Sequence, residues 1–227
     1  MNDLDVEMGS SPPLRPGRSF EKAKPTYGHR VKFRGLLPTD RDVIQEYHEQ
    51  WFPVKYDDEF YDELVQNRMV GTGHPLYTCC VVVEENGVEE LAACVVGAFG
   101  RTRRLSTDLQ NLLVTDPIRH GKVFYIMTLG TVGRYRGCKM GSTLINKCIR
   151  LVEREPSCGV VYLHVITFNV AAIQFYENLG FSRVQEIKDY YVINGEHFNC
   201  YLYARYFHGK FAVSVDQLCW VTVLLTR

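Results

Sequence analysis

The sequence predicts a mixed α/β domain in which helices flank a central sheet. Apolar residues alternate with polar ones in some segments and recur at helical spacing in others, and the two kinds of segment are interspersed. Their order is a strand, two helices, a hairpin, and then strand, helix, strand, helix and a final set of strands. Asn-Gly pairs mark two of the expected hairpin turns. Such an order favours a mixed sheet covered by helices.

The first half of the domain is expected to contain one strand, two helices and a hairpin. Thr39 precedes a segment with helical spacing and is predicted to cap the first helix, which Pro53 ends because proline lacks a backbone donor. Asn86 and Gly87 are predicted to form the hairpin turn. The predicted elements are a strand at 31–34, a helix that follows Thr39 and includes Trp51, a helix at 58–67, and strands at 76–84 and 91–99.

The second half is expected to alternate strands and helices before it closes with a hairpin. Asn169 is predicted to cap a helix that ends at Gly180, because glycine readily adopts the left-handed conformation found after helix C-termini. Asn194 and Gly195 are predicted to form the last turn. The predicted elements are a polar inserted loop at 100–121, a strand at 123–132, a helix at 140–155, a strand at 160–165, the 169–180 helix, and strands at 182–186, 189–193 and 198–204.

Composition divides the chain into a domain at 30–204 and two tails. Residues 1–29 are rich in proline, glycine, serine and charge, and they bury too little apolar surface to offset their conformational entropy, so we expect disorder. Residues 205–227 form a tail whose last part is apolar. The stretch 211–227 is too short to span a bilayer comfortably, and its composition suits a segment that either packs on the domain or lies in a membrane interface.

Charge and cysteine content exclude several classes of function. The 227 residues carry no formal net charge, which argues against a nucleic-acid binder. The eight cysteines form no Cys-x-x-Cys pair and no histidine cluster has metal-ligand spacing, so we expect reduced, buried thiols and no metal. The N-terminus is acidic and lacks the apolar region of a secretory signal. These features together predict a cytoplasmic location.

A strand that leads through a turn into a helix predicts an anion site. The apolar run 124–132 is followed by a turn at 136–142 that contains arginine and glycine, and then by an amphipathic helix. The first turn of a helix has backbone N–H groups without internal acceptors, and such groups bind phosphate. The anion expected at this turn is a pyrophosphate.

Five sequence elements, in this order, carry a resemblance to a known family. They are Phe52-Pro53-Val54-x-Tyr56, Tyr125-Ile126-Met127-Thr128-Leu129-Gly130, the turn at 136–142, Tyr162-Leu163-His164-Val165 and Tyr190-Tyr191. With them the chain resembles the acetyl-CoA-dependent N-acetyltransferase superfamily (GNAT) over residues 30–204, and within it the N-terminal α-amine acetyltransferases of the NatE and NatF types. The 100–121 insertion and the C-terminal tail are more similar to NatF. The resemblance implies the GNAT fold, acetyl-CoA as cofactor and protein N-termini as acceptors.

Two positions depart from the pattern of these enzymes. The turn of the family reads Arg or Gln, two residues, Gly, one residue, and Gly or Ala, and here Lys139 occupies the place of the first glycine. We expect Lys139 to keep a negative φ, to offer its N–H to phosphate and to add a favourable charge. Lys55 stands where the NatF type tends to carry an acid near the substrate, which leaves the N-terminal preference open.

The resemblance also implies a set of cofactor contacts. The backbone of the strand end would pair with the pantetheine amides, the turn would bind pyrophosphate, Asn169 would contact the pantetheine arm and Tyr176 would lie near the sulfur. A helix cap and a core tyrosine are the alternative roles of Asn169 and Tyr176. The implied cofactor residues are Leu129, Gly130, Thr131, Arg136, Gly137, Cys138, Lys139, Met140, Gly141, Ser142, Asn169 and Tyr176.

Tyr125 and His164 are the candidate catalytic residues. The α-amine of a protein has a pKa of about 7.7–8.0, so a weak base suffices to remove its proton near neutral pH, and histidine titrates in that region. Tyr125 and His164 fall on strands that are expected to be neighbours. In the family, the matching tyrosine and histidine hold a water that relays the proton. A hydrogen-bonded core histidine beside a packing tyrosine is the alternative.

The acceptor site that the resemblance implies has apolar walls and tyrosine hydroxyls. Such walls suit an N-terminal methionine followed by an apolar residue, and the hydroxyls suit the peptide backbone. The implied residues are Phe52, Pro53, Val54, Tyr56, Met127, Tyr190 and Tyr191.

Two other functions remain open at this stage. The first is a small-molecule amine acetyltransferase on the same fold, and the second is a catalytically silent CoA-binding module, which Lys139 alone supports. We expect a monomer without a nucleic-acid partner. For the 211–227 segment, the NatF resemblance implies peripheral attachment to the cytosolic face of the Golgi membrane, as the alternative to packing on the domain.

Overall fold

Seven strands in one sheet, five α-helices and three short 3₁₀ turns form the described part of the chain. The computed structural model describes residues 30–54, 56–114, 116 and 118–208, so the predictions for 1–29, for Lys55 and for the tail from 209 onward lie outside it. The strands are β1 Arg30–Arg34, β2 Tyr77–Glu85, β3 Val88–Arg101, β4 Lys122–Thr131, β5 Cys158–Ile166, β6 Ser182–Ile193 and β7 Glu196–Tyr206. The α-helices are α1 Arg41–Trp51, α2 Asp58–Val65, α3 Thr107–Leu113, α4 Met140–Glu153 and α5 Val170–Asn178.

The strand order in the sheet is β1-β2-β3-β4-β5-β7-β6. The pair β4–β5 is parallel, whereas the pairs β1–β2, β2–β3 and β5–β7 are antiparallel. The mixed sheet flanked by helices that the sequence predicts is therefore confirmed.

The described chain divides into two compact units by its internal contacts. The first unit contains the described residues up to Phe99 together with Ile126–Arg150 and Val192–Glu196. The second unit contains Gly100–Tyr125, Leu151–Tyr191 and the described residues from His197 onward.

The first unit is built on the antiparallel strands β1, β2 and β3. Six consecutive residues of β2 and eight of β3 are buried, so both faces of these strands are covered. Helices α1 and α2 pack on one face because their apolar residues recur at helical spacing. The core on this face consists of Leu36, Ile44, Phe60, Tyr61, Leu64, Val65, Leu76, Cys80, Val82, Leu91, Cys94, Val96 and Ala98.

Helix α1 begins without the predicted cap. Residues Pro38–Asp40 form a 3₁₀ turn, and Thr39 lies inside it rather than at the N-cap of α1. The carboxylate of Asp40 accepts hydrogen bonds from the backbone N–H of Leu37 at 2.8 Å and from the guanidinium of Arg34 at 2.6 Å. The Asp40 carboxylate thus stabilises the 3₁₀ turn that precedes α1, and it makes no capping hydrogen bond to α1 itself.

The second unit is built on the first residues of β4, up to Tyr125, on the parallel strand β5 and on β7 from His197 onward. Phe124 pairs with Val161 and Tyr125 with Tyr162, while His164 of β5 pairs with Leu202 of β7. The buried core of this unit consists of Leu113, Val123, Val160, Tyr162, Leu202 and Ala204.

The sequence predicts a loop at 100–121, but this segment also contains helix α3. Ser106 caps this helix by accepting a hydrogen bond from the backbone N–H of Leu109 at 3.4 Å. Leu109 and Leu112 pack against the second core, and Leu113 belongs to it. Seven residues are too few for helical periodicity to stand out in a sequence, so tertiary burial decides this helix.

A single strand, β6, replaces the two strands predicted at 182–186 and 189–193. Asp189 has a left-handed φ of 51° inside this strand, and its backbone N–H donates to the side-chain oxygen of Asn199 at 3.1 Å. The strand is therefore distorted at this point without ending there.

Both predicted Asn-Gly turns are confirmed by their backbone angles. Asn86 and Gly87 have φ of 52° and 78°, and Asn194 and Gly195 have φ of 54° and 81°. Two successive positive φ values are those of the tight turn that matches the twist of paired strands.

Candidate active site

The parallel strands β4 and β5 bring Tyr125 and His164 together in the second unit. Tyr125 lies opposite Tyr162 in the sheet, and their rings stack with centroids 4.8 Å apart. Side chains two residues apart on a strand share a face, so His164 follows Tyr162 on that side. The hydroxyl of Tyr125 lies 3.3 Å from Nδ1 of His164. The proximity that the sequence predicts for these two residues is confirmed.

A third residue, Tyr190 of β6, contacts the same imidazole. Its ring stacks on His164 with centroids 4.5 Å apart and planes 20° apart, and its hydroxyl lies 3.3 Å from Nδ1. Nε2 of His164 is shielded from solvent and has no hydrogen-bond partner among the described residues. The ring of Tyr191 meets that of Tyr190 edge-on at 4.8 Å.

Burial lowers the pKa of His164 to about 4. The imidazole is therefore neutral near pH 7 and is a weaker base than its ordinary pKa, used in the sequence argument, implies. The pKa of His164 lies about four units below that of an α-amine, so transfer of a proton from the amine to the imidazole costs roughly 5 kcal/mol. His164 is thus suited to relay a proton or to orient a water molecule, and it is not suited to remain protonated as a stable general base.

The turn before α4 contains two left-handed residues in the first unit. Gly137 has a φ of 84° and Lys139 a φ of 60°. The expectation that Lys139 keeps a negative φ is wrong, because the chain enters α4 through a conformation that only glycine adopts without strain. Glycine would adopt the φ of Lys139 without this strain.

Helix α4 opens with the donors that an anion needs. The carbonyl of Lys139 accepts from the backbone N–H of Thr143 at 3.0 Å, and also from the hydroxyls of Ser142 and Thr143 at 2.8 and 2.9 Å. Intrahelical bonding thus begins at Thr143, and the N–H groups of 140–142 precede it. Arg136 is tied to the strand end because its Nε donates to the carbonyl of Thr131 at 3.3 Å.

Gly130 of β4 lies directly against the indole of Trp51. A Cβ at this position would overlap the ring, so the close approach requires glycine. Trp51 is half-buried and stacks on Tyr47 with centroids 5.2 Å apart. Trp51 is not among the predicted site residues, although a glycine inside a strand is a sequence signal of close approach.

Phe52 and Tyr56, predicted to line the acceptor site, surround a buried histidine of α1. His48 is 1% exposed, and its ring lies 5.2 Å from that of Phe52 and 6.0 Å from that of Tyr56. Its carbonyl also accepts the backbone N–H of Phe52 at 2.9 Å. Burial lowers the pKa of His48 to about 4, so it is neutral at pH 7. His48 is not among the site residues that the sequence predicts.

The N-terminus of α5 follows the prediction. The side-chain oxygen of Asn169 accepts from the backbone N–H of Ala172 at 3.1 Å, and Gly180 after the helix has a φ of 79°. Tyr176 is buried, and its ring meets those of Phe175 and Phe181 at 5.1 and 5.7 Å. The cap and the core tyrosine are therefore real, and neither excludes a cofactor contact.

The predicted site residues fall into two sets. The first unit holds Phe52, Pro53, Val54, Tyr56, Met127, Leu129, Gly130, Thr131, Arg136, Gly137, Cys138, Lys139, Met140, Gly141 and Ser142. The second unit holds Tyr125, His164, Asn169, Tyr176, Tyr190 and Tyr191.

Comparison with known proteins identifies the family to which a chain with this mixed sheet belongs. The acetyltransferase (GNAT) family matches residues 41–181, so the chain belongs to that family, as predicted.

Individual relatives share 29% sequence identity with this chain over most of its length. "Histone acetyltransferase MCC1" from Arabidopsis thaliana is 29% identical over 196 residues, which is 85% of this chain and 76% of that protein. "N-alpha-acetyltransferase 60" from Xenopus tropicalis is 29% identical over 192 residues, which is 83% of this chain and 75% of that protein. The crystal structure of Arabidopsis thaliana NAA60 in complex with acetyl-CoA is 29% identical with a TM-score of 0.69, covering 79% of this chain and 100% of that one.

Proposed function

We propose that this chain transfers the acetyl group of acetyl-CoA to the α-amine of protein N-termini. The observation that carries the proposal is the 3.3 Å approach of Tyr125 to His164 on the parallel strands of a GNAT domain. The relative from Xenopus tropicalis is named an N-alpha-acetyltransferase, and structures of Arabidopsis thaliana NAA60 are complexes with acetyl-CoA and with a bisubstrate analogue.

The turn before α4 fits the pyrophosphate of acetyl-CoA. The left-handed Gly137 and Lys139 lead into the N–H groups of 140–142, which precede the first intrahelical hydrogen bond of α4, and the exposed side chains of Arg136 and Lys139 add positive charge. When bound, acetyl-CoA supplies the activated acetyl group. The role of these residues is to bind its phosphates, while the backbone of 129–131 orients the acyl end.

The chemistry of His164 favours an α-amine over a lysine side chain. A substantial fraction of an α-amine with a pKa of about 7.7–8.0 is already neutral near pH 7.5, whereas a lysine at about 10.4 needs a stronger base. A histidine whose pKa burial lowers to about 4 gives little such help. The name of the Arabidopsis thaliana relative refers to histone, so lysine acceptors belong in the test.

The proposed acceptor is a methionine N-terminus followed by an apolar residue. Aromatic rings dominate the surroundings of Phe52 and Tyr56, and Met127 packs against the first core, which gives these positions apolar character. Apolar surroundings favour an apolar first side chain through the area it removes from water.

The test is acetyl-CoA turnover on peptides that differ at the first two residues, alongside peptides with a blocked N-terminus and a free lysine. We expect turnover on Met-apolar N-termini and little on lysine. Tyr125→Phe and His164→Ala should each lower kcat about 10²-fold or more and leave acetyl-CoA affinity, measured by calorimetry, unchanged.

Tyr162→Phe is the matched control, since it removes a hydroxyl from the neighbouring ring and should keep most of the activity. Near-normal kcat in both the Tyr125 and the His164 variant would exclude this catalytic assignment. Turnover confined to polyamines or amino sugars would favour a small-molecule enzyme, and absence of acetyl-CoA binding would exclude the acetyltransferase proposal.

We further propose that the apolar segment 211–227 attaches a cytoplasmic enzyme peripherally to the cytosolic face of the Golgi membrane. Trp220 and the surrounding apolar residues support interfacial binding, although that segment lies outside the described residues. Across the parts of the chain that are described, no helix is both long and apolar enough to cross a membrane. Liposome flotation of the full chain against a chain ending at Gly209 tests the proposal, and equal flotation would contradict it.

A further inference from the structure

Tyr190 makes contacts to His164 that binding of a peptide does not require. Its phenol covers one face of the imidazole at 4.5 Å, with the planes only 20° apart. Its hydroxyl reaches Nδ1 at 3.3 Å, the same atom and the same distance as the hydroxyl of Tyr125. A tyrosine that served only to hold a peptide backbone would need its hydroxyl directed at the peptide and not at the histidine.

Two hydroxyls at one ring nitrogen limit the states of His164. A neutral imidazole nitrogen offers either one lone pair or one N–H, so Nδ1 forms one good hydrogen bond at a time. The opposite nitrogen, Nε2, is shielded and has no partner among the described residues. The occupancy of Nδ1 therefore decides the tautomer, and the second hydroxyl changes the balance between the two states.

We propose that Tyr190 is a positioning residue for the acetyl-transfer reaction: its ring fixes the orientation of the His164 imidazole, and its hydroxyl shares Nδ1 with Tyr125 and so sets the tautomer. This inference rests on the proposed function for its kinetic consequences. The orientation and the tautomer of the His164 imidazole are properties of the free protein and can be measured without any substrate.

The surroundings of His164 make the effect of Tyr190 separable from charge effects. Among the described residues, the titratable groups in ring contact with the imidazole are the phenols of Tyr125 on β4, Tyr162 on β5 and Tyr190 on β6, while Leu202 opposes it from β7. Burial is the cause of its low pKa, and Tyr190 itself is 39% exposed, so its ring forms the outer cover. Removal of that ring should admit water to the imidazole.

The experiment follows the ¹⁵N and ¹³C resonances of His164 during a pH titration of the full-length protein, assigned by comparison with His164→Gln. Tyr190→Leu removes the ring, and we expect the pKa of His164 to rise by about one unit or more from its value near 4. Tyr190→Phe keeps the ring and removes the hydroxyl, so the ¹⁵N shifts of Nδ1 and Nε2 should change with a smaller change in pKa. Tyr191→Phe removes the adjacent hydroxyl and should leave the resonances of His164 unchanged.

Steady-state kinetics on an N-terminal peptide gives the second measurement. Tyr190→Leu should lower kcat about tenfold or more, since a misplaced relay group slows chemistry, and should shift the acidic limb of the pH profile with the pKa of His164. If Tyr190 only binds peptide, KM alone rises and the free-protein resonances stay as in the parent. That result, or resonances of His164 that are the same in both Tyr190 variants and the parent, overturns the proposal.

Failure of the proposed function has a different signature. If neither parent nor variants acetylate peptides while the resonances of His164 respond to Tyr190 as expected, the positioning role stands and the assigned substrate is wrong. If peptides are acetylated but the resonances do not respond, the function stands and the role of Tyr190 is wrong.

Discussion

Replacement of Gly130 by alanine should destabilise the first unit through Trp51. A Cβ on Gly130 would overlap the Trp51 indole, and the ring would have to retreat by roughly 1.5 Å to reach ordinary contact distance. That retreat is resisted because the indole is half-buried, stacks on Tyr47 at 5.2 Å and meets Phe52 edge-on at 6.3 Å. The strain therefore passes from β4 to the end of α1.

The expected magnitude follows from these contacts. Overpacking of a well-packed site costs about 1–3 kcal/mol, and loss of the stacked pair with Tyr47 adds about 0.5–1.5 kcal/mol. Replacement of glycine in a strand returns about 0.5–1 kcal/mol through the unfolded chain. The net loss should be about 2 kcal/mol, which lowers Tm by roughly 4–8 °C for a domain of this size.

A double-mutant cycle in urea, followed by circular dichroism, measures this coupling directly. Gly130→Ala and Trp51→Leu should each lower the free energy of unfolding. The loss in the double variant should be smaller than the sum of the two single losses by about 1 kcal/mol or more, since leucine leaves room for the new methyl group. Gly121→Ala is the control, because a Cβ there meets nothing within 4 Å. Additive losses, or a Gly130→Ala variant as stable as the control, would refute the proposed contact.

Three further predictions concern other parts of the molecule. Burial lowers the pKa of His48 to about 4, so as the pH falls the unfolded chain binds the proton first and the folded state loses stability between about pH 6.5 and pH 4. In urea titrations over this range, His48→Phe should remove about 3 kcal/mol of that loss, and an unchanged dependence of stability on pH would contradict the prediction. Lys139→Gly should raise the free energy of unfolding by up to about 1 kcal/mol, because glycine adopts the φ of 60° without strain; a decrease in urea stability would show that the lysine side chain stabilises the turn. Asn169→Ala should cost about 1 kcal/mol as a lost cap while Asn169→Asp restores it; equal Tm of the alanine variant and the parent would exclude the cap as a stabilising contact.

The elements that could be predicted from the sequence are those whose signals are local. The Asn86-Gly87 and Asn194-Gly195 turns require positive φ at both residues, and few other residue pairs adopt it, so the hairpins were evident from composition. The Asn169 cap is equally local, because its oxygen bonds a donor three residues ahead. The predicted strand at 123–132 and helix at 140–155 differ from β4 and α4 by only one or two residues at their ends.

The candidate site shows where such signals end. The resemblance identified Tyr125 and His164, and their spacing in the sheet follows from strand pairing, so their contact was predictable. The left-handed φ of Lys139 was not, since a lysine rarely adopts it and the turn imposes it. His48 and Trp51 also escaped, because an aromatic residue at helical spacing is indistinguishable from ordinary core until its neighbours are known.

The sequence by itself determined the mixed α/β class, the two Asn-Gly hairpins and the strand–turn–helix of β4 and α4, because each depends on residue type and spacing along the chain. The roles of Tyr125 and His164 were implied by the resemblance of sequence motifs to the family. Only the tertiary structure decided that Tyr190 shares Nδ1 of His164, that burial makes that imidazole a weak base, and that Gly130 lies under Trp51. These are properties of contacts between distant segments. They depend on which groups exclude water from one another, and water exclusion is a property of the folded chain and not of its order of residues.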